Sequence, residues 1–357
     1  MKSGKSRVFW SLIFVAIAAV SIWAVASQAQ NFSVENFFNC IASSNKIYLG
    51  LAVLCMLSFI FFEALAVLRI IKAFGYKRSI RKGLLYSASD IYFSAITPSA
   101  TGGQPVCAYF MVKDGIPGGI VTVSLLLNLV LYTISIMVAG IAAIIIKPSL
   151  FFNFHTPSKV LIIIGYTVLS GLTVLFILLI GKADFVYRVC DAVLRFLKRI
   201  HLLKKYDAIN LKLKNVMKDY SECAGMIRDH KRMVVEAFLY NFIQRMSQMI
   251  VPSLVYLAVG GTFSGAVNVW ITQIMVTMGS NYFPIPGAMG VIDYLMLDGL
   301  STVMTPEEAT NLDLLSRSVS FYICVLLCAV WVIFGFIRYG AKKNKDNVVE
   351  VNNEGEQ

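Results

Sequence analysis

Charge is scarce in this chain. Only 15% of its 357 residues are charged, against about 25% in an ordinary soluble domain. Hydrophobic residues make up 57%, and mean hydropathy is +0.71. That composition excludes a soluble globular domain. Histidine is scarcer still. His155, His201 and His230 stand far apart and near loops, so no metal site follows. The cysteines (Cys40, Cys55, Cys107, Cys190, Cys223, Cys324 and Cys328) are scattered, odd in number and form no CxxC pair. Neither a disulfide framework nor a zinc site is indicated. Walker, nucleophile-elbow, H-E-x-x-H and Rossmann patterns are all missing from the sequence. We therefore assign no catalytic residue, cofactor or metal, and we expect no direct ATP-driven pumping by this chain.

Long apolar runs fill the space that charge leaves. Runs of 18 or more apolar residues mark a polytopic helical membrane protein, and their continuity excludes a barrel. Six full spans are expected, at about 8–27, 47–71, 118–146, 159–181, 233–258 and 314–338. Basic residues lead into the first run, and Ala24-Val25-Ala26 resembles a cleavage site. The run is longer than a usual signal-peptide core, so we read it as an uncleaved span.

The formal net charge is +12, yet its distribution follows membrane topology rather than nucleic acid. Lys and Arg cluster in 1–7, 69–82, 182–232 and 338–345, whereas the segments placed outside carry only Lys46 and Lys147. This positive-inside pattern puts both termini in the cytoplasm and lets the inner surface attract anionic headgroups. Within 182–232, Val186, Val189, Val193, Leu197 and Ile200 recur at helical spacing among Arg188, Arg195, Lys198 and Arg199. A basic amphipathic helix on the inner leaflet is expected, although a helix packed only on the protein fits the pattern too. The polar tail 341–357 is expected to be disordered.

Two Pro/Gly-rich breaks interrupt the apolar pattern. The first runs Thr97-Pro98-Ser99-Ala100-Thr101-Gly102-Gly103-Gln104-Pro105, the second Pro284-Ile285-Pro286-Gly287-Ala288-Met289-Gly290. Irregular backbone at membrane depth survives only where protein or a water-filled cavity satisfies its polar groups. The flanking segments, 83–97 with 103–112 and 267–283 with 287–302, are each short for a crossing. We read each pair as a re-entrant hairpin, the first from the cytoplasm and the second from outside. Residues 47–146 and 233–338 then form inverted-topology repeats within one membrane domain, 1–340. Paired broken helices in such repeats point to a transporter's substrate site. A limb starting at Gly102-Gly103 or Pro286-Gly287 would present free N–H groups to an anion; a tight turn is the simpler reading.

Several polar residues sit inside the spans. Asn241, Gln244, Arg245 and Gln248 share one helical face, and intramembrane charges usually face a cavity. The Arg245 guanidinium suits a phosphate, or a fixed acidic partner such as Glu63 or Asp293. Asn128 and Tyr132, with Ser124 and Ser135, share another face, either lining the same cavity or bonding helices together. Glu63, Asp90, Asp293, Gln104 and Arg317 complete the candidate substrate-binding set, with structural ion pairs as the alternative role for the charged ones.

The residues Ser94-Ala95-Ile96-Thr97-Pro98, Gly102-Gly103-Gln104-Pro105 and Lys113-Asp114-Gly115-Ile116 resemble the signature of one family. It is the flippase-like membrane region of lysylphosphatidylglycerol synthases, the multiple peptide resistance factors. Asn281-Tyr282-Phe283-Pro284-Ile285-Pro286-Gly287 with Gly290 resembles that family's second loop. Ala288 stands where the family commonly has Gly, and Asp293 where it has Glu. The resemblance covers about 8–338 and not the family's soluble aminoacyl-transferase domain. It implies translocation of a phosphate-bearing lipid across the bacterial cytoplasmic membrane, such as an aminoacylated phosphatidylglycerol or a glycosylated or polyprenyl-phosphate lipid. A role in antimicrobial peptide resistance would follow. The rivals are a lipid-modifying transferase and a scaffold for a separate synthase or glycosyltransferase. Membrane lipids are the expected partners, and nucleic acid is not.

Overall fold

The computed structural model describes residues 42–97, 102–181, 183–199, 209–211, 214, 227, 229–283, 288 and 290–354, and these are helical with no strand among them. The first expected span 8–27, Pro286, Gly287 and about half of the basic segment 182–232 lie outside the described residues. In chain order the helices are α1 (Lys46–Ala73), α2 (Ile80–Ile96), α3 (Gly103–Lys113), α4 (Gly118–Ile146), α5 (Pro148–Asn153), α6 (Thr156–Gly181) and α7 (Ala183–Arg199). After them come α8 (Lys231–Met249), α9 (Val251–Ala258), α10 (Phe263–Ser280), α11 (Val291–Leu300), α12 (Pro306–Arg317), a π-helical segment (Ser318–Ile323) and α13 (Cys324–Glu354).

Among the described residues, four helical stretches are long and apolar enough to cross a membrane: α1, α4, Thr156–Leu175 of α6, and Pro306–Tyr339. Their outward faces carry exposed Leu54 and Phe61 on α1, Ile141 and Ile145 on α4, Ile163 and Leu175 on α6, and Val330 and Phe334 on α13. An apolar belt of this kind has no reason to face water and suits lipid. Inside, α1 packs against α2, α4, α8 and α9, and α13 packs against α2. Met56, Tyr92, Ile136, Val255, Met275 and Leu295 meet in one buried core that joins helices far apart in the sequence.

One expectation changes. The span expected over 233–258 is two helices, α8 and α9, joined at Ile250. Pro252 has no N–H to give the carbonyl of Gln248, so the helix re-starts there with Pro in its first turn. The last helix, α13, runs on to Glu354, with neither Pro nor Gly between Ala341 and Glu354.

Polar ties gather the helix ends into two groups. In one, the Asn45 N–H donates to the Ala258 carbonyl at 2.8 Å, Lys147 bonds Asn268, and His155 pairs with Asp298. In the other, Arg69 pairs with Glu236, and Asp114 takes both Lys82 and Tyr86. The second group shows that α2 begins and α3 ends on the same side. On α7, Asp191 and Arg195 pair one turn apart.

Burial alone would raise the Asp298 carboxyl. Hydrogen bonds outweigh it, the His155 N–H (3.0 Å) and ring among them, and hold the carboxyl below its usual range. A carboxyl lowered on folding stabilises above its unfolded value, and that stabilisation disappears as pH falls through the folded value. We expect Asp298→Asn to lower the thermal midpoint at neutral pH. The gap should begin to narrow near pH 4, where the unfolded carboxyl takes up its proton, and close only below the lower folded value. Melting curves across pH check this; a gap that persists in acid would contradict it.

Candidate functional site

A cavity of about 850 Å³ lies among α1, α2, α3, α4, α6, α8, the residues that follow α10, the π-helical segment and the start of α13. Nine of the residues expected at the site line it: Glu63, Asp90, Gln104, Asn128, Tyr132, Asn241, Gln244, Arg245 and Gln248. Ligand pockets commonly span about 300–1,000 Å³ with a few convergent polar groups, and this one fits.

Arg245 is the cation of the cavity. Its guanidinium carbon lies 3.8 Å from the Tyr132 ring centroid and 5.1 Å from that of Phe59. One terminal nitrogen donates to Gln248 Oε1 at 2.8 Å. The flat, weakly hydrated guanidinium stacks on rings as an ammonium cannot. Stacking fixes its plane while the edge stays free for hydrogen bonds. Its Nε is buried without a partner, as are Gln244 Oε1 and Asn241 Oδ1. A buried polar atom left unpaired costs about 1–3 kcal/mol. One unmatched donor and two unmatched acceptors thus stand at one cavity, where water or a bound polar group would supply partners.

The remaining bonds fix this wall. Asn241 Nδ2 donates to Asn128 Oδ1 and to the Ala237 carbonyl, each at 2.9 Å. Tyr132 donates to Asn281 Oδ1 at 2.6 Å, which ties α4 to the second break. Glu63 is 6% exposed; its Oε2 accepts from Gln244 Nε2 at 3.1 Å and from Ser87 at 3.3 Å. Asp90 lines the same cavity and accepts from the Ser94 hydroxyl at 3.4 Å. Arg245 acts on both acids through space, and no ion pair joins it to an acid among the described residues.

The breaks contribute differently from each other. Gly103 opens α3 so close to α2 that a Cβ there would strike Ser94, the Asp90 carboxylate and the Asp90 carbonyl. The start of α3 thus already faces an acid. Gly102 holds its N–H on the Thr97 hydroxyl at 2.9 Å, and neither Gly102 nor Gly103 lines the cavity. Gln104, one residue on, does.

At the second break Asp293 turns back on its own helix. It accepts the Gly290 N–H at 2.8 Å and pairs with Arg317, which also approaches Asp313 at 3.8 Å. Asp293 and Arg317 therefore meet each other and not Arg245, and neither lines the cavity. Ala288, at φ 49°, occupies the left-handed region that favours glycine. The glycine expected at this position from the family resemblance has a backbone reason.

Ser94, Asn281, Tyr282 and Ser320 also line the cavity and were not among the expected set. Asn281 and Tyr282 adjoin the second break, so proximity to that motif was a usable signal. Ser320 lies on the π-helical segment, an irregularity often found at functional sites, and nothing in its sequence announces it.

Fold and cavity together define a class: a multi-pass helical membrane protein with a charged, partly unsatisfied cavity enclosed by apolar helices. Residues 10–328 match the lysylphosphatidylglycerol synthase TM region, and the chain belongs to that family. The family links it to a lipid-related membrane role. No curated protein matches the chain.

Gly103→Ala tests the close approach of α2 and α3. We expect a loss of about 1–3 kcal/mol in stability, the usual cost of forcing a group into a filled site. Gly50→Ala, where nothing lies within 4 Å of the added carbon, should be neutral or stabilising by up to about 1 kcal/mol. Equal melting shifts for the two would refute the packing argument.

Proposed function

We propose that this protein translocates a phosphate-bearing lipid across the bacterial cytoplasmic membrane, as a flippase or scramblase. The supporting observation is Arg245, stacked on Tyr132 with a buried unpartnered Nε beside the unpartnered Gln244 Oε1. A phosphate oxygen would accept from Arg245, and headgroup hydroxyl or amino groups would donate to Gln244 and Asn241. Acyl chains would stay in the surrounding lipid while the polar head crosses.

In this reading α2 with α3 and α10 with α11 are re-entrant hairpins entering from opposite sides. The tie of Lys82 and Tyr86 to Asp114 supports the first, because it returns α3 to the side where α2 began. The pairing of His155 with Asp298 supports the second, on the opposite group of helix ends. The two hairpins and their flanking helices form inverted repeats that rock about the cavity. The basic ends of α1 and α3 and both termini face the cytoplasm. Asp293 and Arg317 brace the second hairpin instead of touching the headgroup.

Proteoliposomes carrying fluorescent phosphatidylglycerol, lysylphosphatidylglycerol or a polyprenyl-phosphate sugar test this. We expect protein-dependent movement of at least one of them. Arg245→Ala should slow it on the order of 10- to 100-fold, the value of a charge-assisted hydrogen bond. Arg245→Lys should recover only part, because an ammonium does not stack as a plane. Movement of no lipid by folded protein, or full activity in Arg245→Ala, would overturn the proposal.

A further inference from the structure

The phosphate reading leaves two acids in the cavity without a task. Glu63 on α1 and Asp90 on α2 line the same cavity as Arg245 of α8. Two ionised carboxylates inside a membrane protein repel each other, and one guanidinium balances only one of them. The pair is therefore read as holding one proton at rest. Gln244 and Ser87 fix Glu63, while Ser94 donates to Asp90 at 3.4 Å. The titratable and charged groups facing the pair from neighbouring helices are Arg245 of α8, Cys107 of α3 and Cys328 of α13. Arg245 is the one permanent charge among them.

The charges can be counted. Two carboxyls sharing one proton carry one negative charge, and Arg245 carries one positive charge, so the resting cavity is neutral. A phosphodiester headgroup brings one further negative charge. An unbalanced charge in a membrane interior is costly, and a titratable group nearby relieves it by changing protonation. The ionised member of the pair is the group placed to do so, by accepting a proton from water on a carboxylate oxygen.

We propose that the Glu63–Asp90 pair is a proton-binding site coupled to the headgroup. One proton is taken up as one monoanionic phosphate head binds, and it is given back when the head leaves. Translocation would then be an electroneutral symport of proton and lipid. This inference rests on the reading of Arg245 as the phosphate holder. It also fixes a sign, because affinity for the anionic head should rise about tenfold for each unit that pH falls, while one proton is linked to binding.

The test uses the full chain in phosphatidylcholine nanodiscs. Phosphatidylglycerol and the soluble headgroup glycerophosphoglycerol are titrated by calorimetry in buffers of different ionisation enthalpy. About one proton should be taken up per phosphatidylglycerol bound. The double variant Glu63→Gln/Asp90→Asn should still bind but take up none. Either single variant should lose the shared resting proton, read as loss of a carboxylic C=O stretch in the infrared spectrum of ligand-free protein. Binding by the wild type without proton uptake, or uptake that persists in the double variant, would overturn the inference and leave the Arg245 site standing. Binding of neither probe would instead overturn the Arg245 reading. Binding of glycerophosphoglycerol alone, with its proton, would support the coupling and remove the lipid as its source.

Discussion

A guanidinium inside a membrane protein must be balanced, stacked or solvated, because hydrocarbon offers it nothing. Arg245 is stacked and hydrogen-bonded, with acids in the same cavity. Tyr132 and Phe59 cover its faces, Gln248 takes one of its N–H groups, and two carboxyls sit across the cavity without touching it. Much of the surrounding wall follows from that requirement. Tyr132 is steadied by Asn281, and Glu63 is steadied by Gln244 and Ser87. The same residues that tolerate the charge also leave one of its donors free.

The hairpins depend on a different constraint, the thickness of a side chain. The first packs only because Gly103 has no Cβ to push Asp90 and Ser94 aside. Asp90 and Ser94, the residues it approaches, both line the cavity, so a backbone requirement bears directly on the cavity wall. At the second break Asp293 caps its own helix and holds Arg317. The two breaks resemble each other in sequence, yet one delivers a titratable group to the cavity and the other consumes its acid in bracing.

Much of this was legible in the sequence. Continuous apolar runs gave the helices, and polar residues spaced by three and four gave the cavity face of α8. The division at Ile250 was missed because Pro252 sits inside an otherwise unbroken run, where hydropathy outweighs a single absent N–H. Asp293 was expected near Arg245 because both are intramembrane charges. Sequence spacing cannot tell which of two cations an acid meets, and Arg317, one helix further on, is the partner. Asn281 and Ser320 owe their places to a break and a π-helical segment, whose directions no helical period predicts. The first span and the core of the second break lie outside the described residues.

The central claim is that the cavity holds a lipid phosphate on Arg245. A structure of the protein in nanodiscs containing phosphatidylglycerol tests it most directly. The account predicts phosphate density within hydrogen-bond distance of the Arg245 guanidinium, with acyl chains running out between helices. Ordered lipid found only on the outer apolar belt, with the cavity holding water alone, would contradict it.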